Sequence, residues 1–144
     1  MGMFGAIDAA ASGLTAERLR MDIISNNIAN VNTTRTAEGG AYRRQMAVFA
    51  PRENANAFAQ ILSEKVDTGN GVKVVGITKD NSPTRKIYDP AHPDANRDGY
   101  VEMPNINVVS EMVDMITATR AYEANVTTIN AAKSMALKAL EIGK

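Results

Sequence analysis

Residues 25–45 read SNNIANVNTTRTAEGGAYRRQ, and they crowd Asn26, Asn27, Asn30 and Asn32 onto the end of a long apolar repeat. Asparagine at a helix end has two physical uses. It stops the helix by adopting a left-handed or turn conformation, the reading for Asn30 and Asn32. Inside a helix pair, its amide hydrogen-bonds a neighbouring helix and fixes register, the reading for Asn26, Asn27 and the later Asn125 and Asn130.

Upstream of this stretch the repeat is heptad-like. Ile7, Leu14, Met21 and Ile28 recur every seven residues, Met3, Ala10, Ile24 and Val31 fill the alternate positions, and Glu17 interrupts them. No proline or glycine breaks residues 14–31, so the spacing predicts a helix from Met3 to Val31, about 45 Å long at 1.5 Å per residue. The other end of the chain repeats the device. Val108, Met112, Met115, Thr119, Tyr122, Val126, Ile129, Lys133, Ala136 and Leu140 alternate steps of four and three. Pro104 with Asn105 or Asn107 supplies the start signal and Gly143 the stop.

Between the two helices the texture changes. Tyr42, Arg44, Met46 and Val48 alternate with period two, VKVVGIT (72–78) is rich in β-branched residues, and TRKIY (84–88) suits a third strand. Gly69-Asn70-Gly71 and Asp80-Asn81-Ser82-Pro83 are turn signals around the second of these. Residues 54–66, NANAFAQILSEKV, carry a helical spacing of Phe58, Ile61, Leu62 and Val66 that an irregular loop would also allow. DPAHPDANRDG (89–99) reads as loop.

The expected fold is therefore mainly α with a small β region. The long N- and C-terminal helices pack as a coiled-coil hairpin, and a short β/loop domain is inserted between them. The boundaries are 1–34 for the N-terminal helix, 35–103 for the β/loop region and 104–144 for the C-terminal helix, with the two helices forming one domain.

Composition excludes several function classes. The 144 residues are 44% hydrophobic but only 5% aromatic, without tryptophan and with eight methionines, a mixture suited to helix packing. Lys+Arg and Asp+Glu both number 16, so no net field draws nucleic acid or an anionic membrane. No apolar run approaches the ~20 residues that span a bilayer. The start, MGMFGAIDAAASG, lacks the basic and continuous apolar regions of a cleaved secretory signal. These features predict a soluble chain without membrane insertion that does not use that route. The absence of cysteine rules out thiolate chemistry, cysteine metal sites and disulfides.

Sharper chemistry has little to stand on. Asp94-x-Asn96-x-Asp98-Gly99-Tyr100-Val101-Glu102 matches the opening of a calcium loop. However, Asn105 replaces the bidentate glutamate, Pro90 and Pro93 precede it instead of a helix, and no second such loop exists. A solvated turn is the expectation, with a small calcium-responsive helical module as the alternative. His92, the one histidine, stands between prolines without a triad or zinc partners. Glu17 and Lys133 are expected as an interhelical pair or as breaks facing solvent. No catalytic residue, cofactor or metal is expected.

Apolar residues also lie off the seams: Leu19 and Ile23 on the first helix, and Val109, Val113, Ile116, Met135, Leu137 and Ile142 on the second. Such a surface marks an interface with partners. The expected assembly positions are Ile7, Leu14, Met21, Ile24, Asn27, Ile28, Asn30, Val31, Asn32, Met112, Met115, Ile116, Tyr122, Asn125, Val126, Ile129 and Leu140.

Two stretches carry a family resemblance. SNNIANVNTTRT (25–36) resembles the N-terminal signature of the bacterial flagellar axial proteins, the rod and hook group. TRAYEANVTTINAAKSMALKALEIG (119–143) is similar to their C-terminal helix. GAYRRQMAVF (40–49), YDPAHPDANRDGYVEMPNINVVSEMVDM (88–115) and the short length are similar to a proximal rod subunit rather than to the longer distal rod, hook or junction proteins. The resemblance implies a structural subunit of the drive shaft that crosses the periplasm. It would be exported unfolded through the flagellar type III apparatus and polymerise with itself and other rod proteins into a hollow helical tube.

Overall fold

A computed structural model describes residues 3–52 and 71–142. The elements run α1 (Met3–Ala29), β1 (Gln45–Pro51), β2 (Val72–Lys79), β3 (Arg85–Tyr88), β4 (Tyr100–Met103) and α2 (Val108–Ile142). Two long terminal helices thus enclose, in sequence, a small antiparallel β region of two two-stranded sheets, β1-β2 and β3-β4. Residues 54–66, with their undecided helix or loop, lie outside the described residues, as do Gly69 and Asn70.

By compactness the chain divides into two units. The first draws on residues 1–19, 48–76 and 118–144, the second on 20–47 and 77–117. Both therefore take a share of each long helix.

In the first unit the buried positions are small. Ala10, Ser12 and Ala16 of α1 and Ala118 and Ala132 of α2 are almost without exposure. Gly13 belongs with them: a Cβ there would stand 2.8 Å from Nδ2 of Asn125, so glycine leaves the space that the Asn125 amide fills. Ser12 ties helix to sheet, donating to the Ala9 carbonyl at 2.6 Å and accepting the Val72 N–H at 3.0 Å. Gly71 precedes that strand at φ +81° and presses on the Ser12 hydroxyl, so a side chain is excluded by conformation and by space.

In the second unit Ile23, Ile24, Val101, Pro104 and Ile106 form the apolar centre. β3 and β4 pair in the register Arg85↔Met103, Lys86↔Glu102, Ile87↔Val101 and Tyr88↔Tyr100. The loop between them closes on itself, with Asn96 Oδ1 accepting the N–H groups of Asp98 and Tyr100 at 3.0 and 2.8 Å. Gly99, at φ +80°, lies under the Tyr88 ring, which meets Tyr100 edge-on at 5.3 Å between centroids. β4 begins within the 94–102 stretch, for which a solvated turn was expected and a calcium loop was the alternative. Of its side-chain oxygens, Asn96 Oδ1 serves this turn and Asp94 Oδ2 accepts from Thr34 Oγ1 at 2.8 Å.

Two expectations need correction. First, the helix seams are rotated. In α2 the buried and half-buried lines are Glu111, Ala118, Asn125, Ala132 and Met115, Tyr122, Ile129, Ala136, so the second of these holds. The expected Met112, Thr119, Lys133 and Leu140 lie one residue further on and are exposed, with Val126 on that line half-buried. In α1 Ile23, placed off the seam above, is buried, while Ile7, Leu14, Met21 and Ile28 are only half-buried. Reading by apolarity missed that small residues allow close approach and that polar Asn27 and Glu111 satisfy one another inside.

Of the two ways expected for asparagine to end α1, the turn is the one found: among the described residues, none but glycine has positive φ. The helix stops at Ala29, and turn bonds follow, with Val31 N–H donating to the Ile28 carbonyl and Thr33 N–H to the Asn30 carbonyl. Asn30 Nδ2 donates back to the Asn26 carbonyl and Oδ1, both at 2.9 Å. Second, Tyr42 and Arg44 precede β1 instead of alternating along it, and their side chains reach Asn27 and Glu111. At the start of α2, Asn107 is the cap, its Oδ1 accepting Val109 N–H at 3.0 Å.

Candidate functional site

The second unit holds a polar junction built on Asn27, which is 1% exposed at the end of α1. All four hydrogen-bonding positions of its amide are filled. Nδ2 donates to the Gln45 carbonyl at 2.9 Å and to Glu111 Oε2 at 3.0 Å. Oδ1 accepts from Gln45 N–H at 2.9 Å and from the Tyr42 hydroxyl at 3.1 Å. The side chain therefore behaves toward Gln45 like one more peptide group, pairing with both its donor and its acceptor, and it carries α1, β1 and α2 at once.

Glu111, also 1% exposed, takes its second contact from Arg44 Nε at 2.5 Å. Arg44 reaches on to Asp114 Oδ2 at 3.1 Å, and Arg20 of α1 approaches Asp114 Oδ1 at 3.7 Å. The Arg44 backbone is held as well: its N–H donates to Asn105 Oδ1 at 3.0 Å and its carbonyl accepts from Asp80 N–H at 2.8 Å. Burial, with the Glu111 carboxylate adding to it, raises the Tyr42 phenol above its ordinary range and keeps it a donor. The Ser82 hydroxyl and N–H hold the Asp80 carboxyl below its usual value.

The opposite side of the same helical turns is apolar. Val109, Met112, Val113 and Ile116 stand at i, i+3, i+4 and i+7 and are 55% to 70% exposed. The first three turns of α2 are thus inverted relative to a helix in water, with the carboxylate inside and the aliphatic side chains outside.

Of the expected assembly positions, Ile24 and Asn27 are buried within the chain. Ile7, Leu14, Met21, Ile28, Asn30, Val31, Met115, Tyr122, Asn125, Val126 and Ile129 are half-buried, and Asn32, Met112, Ile116 and Leu140 are exposed. Asn26 and Asn130 are exposed, and Lys133 with them. Sequence reasoning missed Glu111, its pairing with Arg44 and the bond from Tyr42 to Asn27. The available signal was the seven-residue line of Glu111, Ala118, Asn125 and Ala132, passed over because it is not apolar.

The polar groups of the junction are paired with one another, and among the described residues no three His, Asp or Glu side chains gather to hold a metal. No described helix is long and apolar enough to cross a membrane.

Comparison with known proteins supplies the biological setting. Residues 7–36 match the family described as "Flagella basal body rod protein", and residues 97–142 match "Flagellar basal body rod FlgEFG protein C-terminal". The chain is similar to the flagellar basal-body rod protein FlgC of Borreliella burgdorferi, with 55% identity over 149 aligned positions covering 99% of this chain and 98% of the relative. It is 47% identical to FlgC of Bacillus subtilis over the whole of both chains, 100% of each. With FlgC of Escherichia coli the identity is 35%, again over 100% of both.

Proposed function

The chain belongs to the FlgC family of flagellar basal-body rod proteins, and on that premise we propose the part it plays in the rod. It is a structural subunit of the basal-body rod. Its place is the proximal segment of the shaft that crosses the periplasm, and its work is mechanical: passing motor torque through packed helices in a hollow polymer. Its partners are further copies of itself and the other rod proteins, and it reaches them through the flagellar type III export apparatus. It performs no catalysis.

One observation carries the mechanical reading. A helix that turns Glu111 inward and Val109, Met112, Val113 and Ile116 outward pays for exposed aliphatic surface unless something covers it. The junction beneath explains how that face is presented. Asn27, Gln45, Arg44 and Glu111 fix the turns that carry the stripe, so it offers a preset surface to a neighbour. Among the expected assembly positions, Met112 and Ile116 belong to this face, while Ile24 and Asn27 support it from inside.

The test is a pair of changes at exposed positions. Met112→Asp and Ile116→Asp leave every hydrogen bond of the junction in place, so the soluble chain keeps its helical circular dichroism. In a strain lacking the native gene, each variant is exported but assembles few or no rods, and motility falls at least tenfold. Normal rods and swimming in both variants would overturn the assignment of this face to assembly.

A further inference from the structure

Two apolar surfaces of α2 are left exposed among the described residues. One is the stripe Val109, Met112, Val113 and Ile116. The other is the last turns, where Met135, Leu137 and Leu140 are 52% to 72% exposed. The positions that continue the register of the stripe are Arg120, Glu123, Thr127, Asn130 and Ser134. The stripe therefore ends at Ile116 and accepts about two turns of a partner helix.

The last turns suit that place. Met135 and Leu137 point about 200° apart around the helix at 100° per residue, while Ala132 is buried and Ala136 half-buried on the inner line. This end of α2 offers Leu137 and Leu140 at i and i+3 on one side and the unbranched, adaptable Met135 on the other, none of them branched at Cβ, against a ridge of β-branched valines and isoleucine.

Area and symmetry select the partner. Four side chains exposed to this degree present a few hundred Å², below the ~800 Å² per partner of a stable complex. Such a contact does not hold a free dimer, but it recurs usefully in a polymer that has other contacts. If stripe met stripe, the contact would be isologous and would close on itself. If the last turns of one copy meet the stripe of the next, every oligomer keeps one stripe and one set of last turns free, and growth continues.

We propose that the last turns of α2 from one copy dock on the Val109–Ile116 stripe of a second copy. The inference rests on the rod reading above and names the partner of that face. Leu140 and Met112, separate members of the expected assembly set, become the two halves of one contact.

The chain contains no cysteine, so a disulfide reports the contact cleanly. Met112→Cys and Leu140→Cys are placed in one chain, and detergent-stripped basal bodies are oxidised after incorporation has been measured. The expected result is incorporation at the wild-type level, with a ladder of dimers and larger species linked from 112 to 140, while each single variant stays monomeric. Val113→Cys with Leu137→Cys repeats the reading at neighbouring positions and replaces the first pair where that pair lowers incorporation. Incorporated chains without a 112–140 or 113–137 link overturn the proposal, as does a homodimer from Met112→Cys alone, which signals stripe on stripe. Absence of the wild-type chain from basal bodies overturns the rod reading itself, so the two failures are distinguishable.

Discussion

The weight of a charge in this protein depends on where its partner lies. Glu111 is buried with Arg44 as its cationic partner, so removing the guanidinium leaves a desolvated carboxylate with only Asn27 Nδ2 to answer it. Breaking such a pair costs about 3–5 kcal/mol. The Arg52–Asp8 pair, at 3.3 Å, is exposed on both sides, and pairs of that kind contribute about 0–1 kcal/mol. Urea unfolding of Arg44→Ala and Arg52→Ala should therefore separate the two. Arg44→Ala loses several kcal/mol while Arg52→Ala stays within about 1 kcal/mol of wild type, and equal losses would mean that the junction is not what holds the second unit. The residue scale is also where the sequence was half legible. Four clustered asparagines announced a polar role, and Asn27 fills the register-fixing one. That its first partner would be a backbone eighteen residues on, at Gln45, was invisible because a backbone group carries no sequence signature.

At the scale of elements, both long helices were evident from spacing, and their ends agree with the expected ones to within a few residues. The faces were harder to read. A heptad count weights large aliphatics, whereas the first unit closes on Ala16, Ala118, Ala132 and the space above Gly13, and small residues are silent in that count. The strand at Tyr100–Met103 was missed for a related reason: four residues are too few for alternation to show, and the Asx-rich turn before it imitated a calcium loop. The close approach at Gly13 makes a prediction of its own. Gly13→Leu has a better helix former than glycine, yet its side chain must displace Asn125 and separate the helices. Thermal unfolding should show a net loss of about 1–3 kcal/mol. A more stable variant would mean that the contact at Gly13 is loose.

For the molecule as a whole, the balance of buried and exposed surface bears on when it is fully ordered. Met135, Leu137 and Leu140 contribute little to the interior of the free chain, and helix ends without packing fray. Amide exchange of the dilute protein should be fast over residues 133–142 and slow at Glu111 and Ile24, whose surroundings are buried. In assembled rods the same terminal amides should become protected. Equal protection of 133–142 in free chain and rod would argue that assembly adds no order there. The absence of cysteine, the equal numbers of acidic and basic residues and the excess of aliphatic surface already pointed to a structural subunit in the sequence. The charge-in, apolar-out turns of α2 did not show there, because Glu111 reads as a surface residue until Arg44 and Asn27 are seen beside it.

The central claim is that this chain is a building block of the rod. Quantitative mass spectrometry of detergent-stripped basal bodies from the source bacterium tests it most directly. The chain should be recovered in a fixed ratio to the other rod proteins across preparations and persist when membrane proteins are washed away. Intact basal bodies that contain the other rod proteins but not this chain would contradict the claim.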